Sequence, residues 1–163
     1  AFPIAEGQTI SQPYTVAFQT DLLELKPGKK ILEIGTGSGY QACVLVECGV
    51  DLVTIEYKDK LSRLAKKMLK HMGYEPKFII GDGSLGCDKF APYDGIIVTA
   101  GAPTVPQALV DQLKIGGHLI IPVGDRKMQK MLRLTKQSNG NITKEEFSNF
   151  SFVPLLGNDG WSK

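Results

Sequence analysis

Histidine and cysteine are scarce in this 163-residue chain, and each shortage removes a class of chemistry. His71 and His118 are the only histidines, which leaves very little material for a histidine-based catalytic triad or a metal site. No metal is expected. Cys43, Cys48 and Cys87 form no CxxC pair, and an odd number cannot close into a complete intrachain disulfide framework, so free buried thiols are expected. No apolar run approaches the ~20 residues that span a bilayer, and no basic flank precedes an apolar stretch at the start. The expectation is therefore a cytoplasmic protein without a membrane partner. Charge of one sign is also lacking, because 19 basic and 17 acidic residues leave +2, too weak a field to imply nucleic acid.

What remains is ordinary globular material, 42% hydrophobic and 22% charged, without repeats, low-complexity tracts or linkers. One domain over 1–163 is expected, and a monomer. Pro13 suits the first turn of a helix whose apolar positions Val16, Ala17, Thr20, Leu23 and Leu25 run to the stop at Lys26-Pro27-Gly28. Lys30 to Ile34 reads as a strand, Gly35-Thr36-Gly37-Ser38-Gly39 as a loop, and Tyr40 to Cys48 as a helix. Leu52 to Glu56 is the next strand, after which Leu61, Leu64, Ala65, Met68, Leu69 and Met72 recur at helical spacing up to Gly73. Further strands are expected over 77–80, 95–99 and 118–123, with a helix from Pro106 to Leu113. Met131 to Lys136 and Glu145 to Val153 flank Asn139-Gly140 as an antiparallel hairpin. Short buried strands alternating with helices predict a doubly wound, mostly parallel α/β sheet with that hairpin at one edge.

Ligands of such sheets collect beyond the carboxyl ends of the strands, where the first glycine loop enters a helix. The spacing Gly35-x-Gly37-x-Gly39 departs from the dinucleotide fingerprint G-x-G-x-x-G, and no Lys-Ser/Thr pair follows to make a phosphate-binding P-loop. Acidic Glu33 beside the loop disfavours a pyrophosphate and favours a net-positive ligand such as S-adenosylmethionine (SAM), with its sulfonium and ammonium. Glu56, ending the second strand, can accept the hydroxyls of an adenosine ribose. Asp82 in Gly81-Asp82-Gly83 can accept from an adenine amino group while the Gly83 backbone approaches the ring. Each feature alone also fits an ordinary turn or a solvated strand end. Their order along the chain points to one adenosyl ligand.

The segments Gly7-Gln8-Thr9-Ile10-Ser11-Gln12-Pro13-Tyr14, Leu32 to Tyr40, Gly81-Asp82-Gly83, Ala91-Pro92-Tyr93-Asp94, Ile97 to Ala100 and Phe152-Val153-Pro154-Leu155 resemble, in order, the motifs of the protein-L-isoaspartate O-methyltransferase family. The resemblance implies a SAM-dependent, Rossmann-like methyltransferase. It would move a methyl group from SAM to the free α-carboxylate of an L-isoaspartyl residue in a damaged protein or peptide, leaving S-adenosyl-L-homocysteine. The ester can then close to a succinimide that reopens partly to normal aspartate. Family members usually carry a further segment before Gly-Gln-Thr-Ile-Ser, so the resemblance implies that 1–163 is the methyltransferase domain without it. Ala100-Gly101-Ala102 carries a glycine where alanine is common.

The resemblance further implies that Glu33, Gly35, Thr36, Gly37, Ser38 and Gly39 hold the cofactor, together with Glu56, Tyr57, Asp82, Gly83 and Thr99. It places Thr9, Ile10, Ser11 and Ala100 with Val153, Pro154 and Leu155 around the acceptor, with Ser11 as the active-site serine. From the residues alone Ser11 fits equally a helix cap before Pro13, and the apolar wall fits a core. A carboxylate acceptor is ionised at neutral pH and needs no general base, so the lack of histidine is no obstacle. Rival readings are a SAM-dependent methyltransferase for a small molecule and an inactive SAM-binding module.

Overall fold

A computed structural model describes residues 9–162; Gly7 and Gln8, which open the first motif, lie outside the described residues. Eleven principal elements follow in chain order: α1 (Pro13–Leu22), β1 (Lys30–Ile34), α2 (Tyr40–Glu47), β2 (Asp51–Glu56), α3 (Asp59–His71), β3 (Lys77–Ile80), β4 (Tyr93–Val98), α4 (Gln107–Asp111), β5 (Leu113–Gly124), β6 (Gln129–Lys136) and β7 (Ile142–Phe150). The strands form a seven-stranded sheet in the order β3-β2-β1-β4-β5-β6-β7. The first five strands pair in parallel, and β6 and β7 add antiparallel. The chain reverses its direction of winding between β1 and β4, the switch point that opens a crevice above the sheet.

Burial on both faces explains the near-continuous apolar strands. Along β1, Leu32 and Ile34 enter one core layer with Val53, Ile55 and Ile96, whereas Ile31 enters the opposite layer with Leu45, Leu52 and Leu69. The period of two thus assigns Glu33 to the layer of Ile31, inside the protein. On α3 the row Leu61, Ala65, Leu69 is buried, but Leu64, Met68 and Met72, one position round the helix, are exposed. Only part of that stripe faces the core. The edge strand β7 shows Lys144, Glu145 and Glu146 to solvent, charges that discourage further strand addition.

Among the boundaries that differ from those expected of the sequence, three bear on the site. The α4 helix is only Gln107–Asp111, because Leu113 is already paired with Tyr93 as the start of β5. β6 begins at Gln129, and β7 ends at Phe150 rather than Val153. There the buried Gln129 side chain accepts the Phe152 N–H at 2.8 Å, and Val153 O accepts the Gly101 N–H at 2.8 Å. These bonds turn the chain off the sheet edge and lay 153–155 against the end of β4.

Candidate active site

The strand ends at the switch point form an open cleft of about 750 Å³, its mouth included. Its floor is the loop after β1. Gly35 has φ +96, and a Cβ there would stand 2.6 Å from Thr99 Oγ1. Only glycine lets the loop lie this close to β4. The Thr99 hydroxyl in turn donates to Gly35 O at 2.6 Å, tying the loop to the end of β4. Thr36, Gly37 and Ser38 line the cleft with Gly83, Tyr57 and Thr99.

Glu56 also lines it and is 7% exposed. Its two carboxylate oxygens accept backbone N–H groups of Gly37 at 2.9 Å and Lys58 at 3.0 Å, so one side chain fixes the glycine loop and the β2 end together. Each oxygen keeps a lone pair for a ligand. Glu33 behaves differently. It is fully buried, absent from the cleft lining, and accepts the Thr54 hydroxyl at 2.5 Å, its register partner on β2. Desolvation raises its pKa to about 8, with Thr54 opposing and Glu56 adding repulsion. At neutral pH it is mostly uncharged and cannot attract a cation, contrary to the sequence expectation. Thr54 also bonds the Thr36 hydroxyl at 2.6 Å, so the carboxyl supports the glycine loop through two hydroxyls.

Two more expected cofactor residues stand outside the cleft. Gly39 begins α2 with φ +83 and faces α3, where its Cβ would lie 3.2 Å from Met68 Cε. Asp82 Oδ1 accepts from Ser84 N and Oγ, and its Oδ2 accepts the backbone N–H of Asn158 at 2.7 Å, so one oxygen is engaged within its own turn and the other by the C-terminal loop. Its neighbour Gly83 does reach the cleft.

On the other wall the structure brings together Thr9, Ser11, Ala100, Val153, Pro154 and Leu155. Ile10 lies in an adjoining hollow that shares Thr9, Ser11, Thr99 and Val153 with the cleft and adds Thr15, Phe150 and Phe152. Gln12, not Ser11, caps α1, and no side chain caps that end. The helix-cap alternative for Ser11 therefore does not hold. Gly101 pairs with Pro154 in a β-bridge, and a Cβ at Gly101 would stand 2.6 Å from Gln129 Cδ. A larger residue there would push on Gln129, which is packed against Gly101 while holding Phe152. Trp161 donates its Nε1–H to Gly101 O at 3.0 Å and covers this junction.

Sequence reasoning missed Tyr40, Gln41, Lys58 and Leu156, all on the cleft. Gln41 is 5% exposed, and its Oε1 has no hydrogen-bond partner among the described residues. A buried polar side chain in the first turn after a glycine loop was the available signal. An unpartnered acceptor, a carboxylate at the β2 end and a loop of bare backbone together fit an adenosyl ligand bearing hydroxyl and ammonium donors. Among the described residues no three His, Cys, Asp or Glu side chains gather as a metal site, and no helix is long and apolar enough to cross a membrane.

Known proteins resemble this chain in sequence and in fold. A protein-L-isoaspartate O-methyltransferase of Cytophaga hutchinsonii is 63% identical over 162 residues, covering 99% of this chain and 73% of the relative. That of Christiangramia forsetii is 54% identical over 157 residues, covering 96% and 73%. A solved structure of a protein-L-isoaspartate O-methyltransferase superimposes with a TM-score of 0.87 at 32% identity, over 98% of this chain and 52% of the other. A Plasmodium falciparum chain described as a beta-aspartate methyltransferase, in complex with S-adenosyl-L-homocysteine, gives 0.81 at 28% identity, over 96% and 80%. Residues 1–160 match the family Protein-L-isoaspartate(D-aspartate) O-methyltransferase (PCMT). The chain belongs to the protein-L-isoaspartate O-methyltransferase family.

Proposed function

We propose that the cleft brings SAM and the α-carboxylate of an L-isoaspartyl residue together, with Glu56 and the loop 35–38 holding the nucleoside side and Ser11 with Val153, Pro154 and Leu155 holding the acceptor. The observation that carries this reading is the convergence of Thr9–Ser11 and 153–155, from opposite ends of the chain, on the wall facing the glycine loop. SAM, when bound, supplies an already activated methyl group on a sulfonium.

The chain's own contribution is position. Glu56 accepts ribose hydroxyls on the lone pairs that Gly37 and Lys58 leave free. The Ser11 hydroxyl donates to one acceptor oxygen and leaves the other free to react. No base is needed, since the carboxylate is ionised at neutral pH, and the cleft lining holds no histidine, cysteine or aspartate. The apolar surface of Val153, Pro154 and Leu155 excludes water from the reacting line. Isoaspartyl and aspartyl peptides carry equal charge on differently placed arms. Discrimination is therefore geometric, and a displacement of about 1 Å costs on the order of a hundredfold in rate.

A radiolabelled methyl-transfer assay on matched peptides tests the reading. Labelling of the L-isoaspartyl peptide and almost none of its L-aspartyl isomer is expected, and Ser11→Ala should lower that rate far more than cofactor affinity. Equal labelling of both isomers would replace the repair reading with a general carboxyl methyltransferase. Binding without turnover would favour a SAM-binding module. The same proposal takes 1–163 as one methyltransferase domain acting as a monomer in the cytoplasm, a setting that three free, half-buried cysteines suit.

A further inference from the structure

Hydrogen-bond accounting around Gln41 leaves one atom unexplained. Gln41 stands in the first turn of α2, buried to 5% exposure, and lines the cleft beside Gly37 and Ser38. Its Nε2 bonds the Thr20 hydroxyl at 2.8 Å, and that hydroxyl donates its single proton to Val16 O at 2.7 Å. Thr20 must then accept from Gln41, which fixes the amide with its NH₂ toward α1. The other end of the amide is Oε1, buried and without a partner among the described residues. A buried carbonyl oxygen without a donor is costly to the protein and uncommon, so such an atom in a residue that lines the cleft marks a place where a ligand completes the bonding.

We propose that Gln41 Oε1 accepts a hydrogen bond from the α-ammonium of the bound adenosyl amino acid, making Gln41 a cofactor-binding residue. The assignment rests on the reading above that the cleft takes SAM and S-adenosyl-L-homocysteine. Two features select the ammonium over a ribose hydroxyl. Glu56, at the β2 end, is the acceptor for the ribose. Gln41 instead is bonded through Thr20 to α1, the helix that follows Ser11 in the chain, and both residues line the cleft. The three arms of the sulfonium diverge, so the amino-acid half leaves the sulfur away from the ribose that Glu56 holds. The ammonium also needs an electronegative partner that Glu33 does not supply, because Glu33 is sealed behind Thr54. An oriented carbonyl dipole provides one without repelling the incoming carboxylate. That compatibility is a reason for an amide here rather than an acid.

Calorimetric titration with two ligands separates this role from a merely structural one. S-adenosyl-L-homocysteine carries the ammonium; 5′-methylthioadenosine has the same nucleoside thioether and no amino acid. Gln41→Met, similar in volume and apolar, should weaken S-adenosyl-L-homocysteine by at least about tenfold, the scale of one hydrogen bond to a charged group, and leave 5′-methylthioadenosine within twofold. A second measurement uses the wild type alone: a des-amino analogue of S-adenosyl-L-homocysteine should bind about tenfold more weakly than the parent. Equal weakening of both ligands by Gln41→Met, or no weakening of either, overturns the assignment of Gln41 alone. Undiminished binding of the des-amino analogue overturns it as well. If the wild type binds neither ligand, the adenosyl reading of the cleft falls, and the Gln41 assignment with it.

Discussion

Replacing Glu33 with glutamine should change how stability depends on pH more than it changes stability itself. The carboxyl is fully buried, bonded through Thr54 to Thr36, and its Oε1 has no partner among the described residues. Burial holds its pKa at about 8 against an ordinary 4.5. A carboxyl with a raised folded-state pKa contributes stability that is complete below about pH 4.5. That contribution declines as pH rises and is lost once pH passes about 8, because the unfolded chain ionises first. Between pH 5 and pH 7 this one group should remove about 2 to 3 kcal/mol. With a urea slope of about 2 kcal/mol per molar, the wild-type midpoint falls by about 1 M over that interval. Glu33→Gln keeps the acceptor for Thr54, cannot ionise, and should lack this component. Its amide nitrogen meets no acceptor, a cost of about 1 to 3 kcal/mol at every pH, so the two proteins are close in stability at pH 7 and the wild type is ahead at pH 5. Urea unfolding at pH 5, 6, 7 and 8 on both proteins measures the difference. Parallel curves would refute the claim that Glu33 is protonated in the folded state.

Two other outcomes follow from the site. Glu56→Ala removes the ribose acceptor and releases the backbone N–H groups of Gly37 and Lys58, so SAM affinity should fall by about 1.5 to 3 kcal/mol, with Glu56→Gln intermediate; unchanged calorimetric affinity in folded protein would contradict the assignment. Gly101→Ala forces Gln129 away from Phe152 and should cost about 1 to 3 kcal/mol by overpacking, and isoaspartyl peptide KM should rise while cofactor affinity holds; a melting temperature equal to the wild type's would show that Gln129 yields freely.

The parallel half of the sheet was legible because each unit pairs an apolar run with a glycine stop and a helical stripe, local signals that burial on both faces reinforces. β1 and β2 sit where the sequence places them. The corner after β7 was not legible, because it is set by Gln129 and Gly101, which are far from Val153 in sequence. Site residues divide in the same way. The glycine loop and Glu56 follow from their positions in β-α units, whereas the fate of Glu33 depends on which face of β1 it occupies, and that of Asp82 on the loop that returns to cover it. Charge alone drew Glu33 toward the ligand. The alternation along β1 draws it into the core, and the core prevails because Thr54 stands directly beside it. Gln41 carries no motif signal, and only hydrogen-bond accounting in three dimensions exposes it.

The two walls of the cleft differ in when they can exist during synthesis. The glycine loop, Glu56 and Tyr57 lie on consecutive units of the chain, within residues 35–57. The facing wall joins Ser11 to Val153, Pro154 and Leu155, held by Gly101 and Gln129. That closure joins residues near opposite ends of the sequence, the slowest kind of contact to form. A nascent chain therefore presents a donor-binding surface well before it can recognise an acceptor.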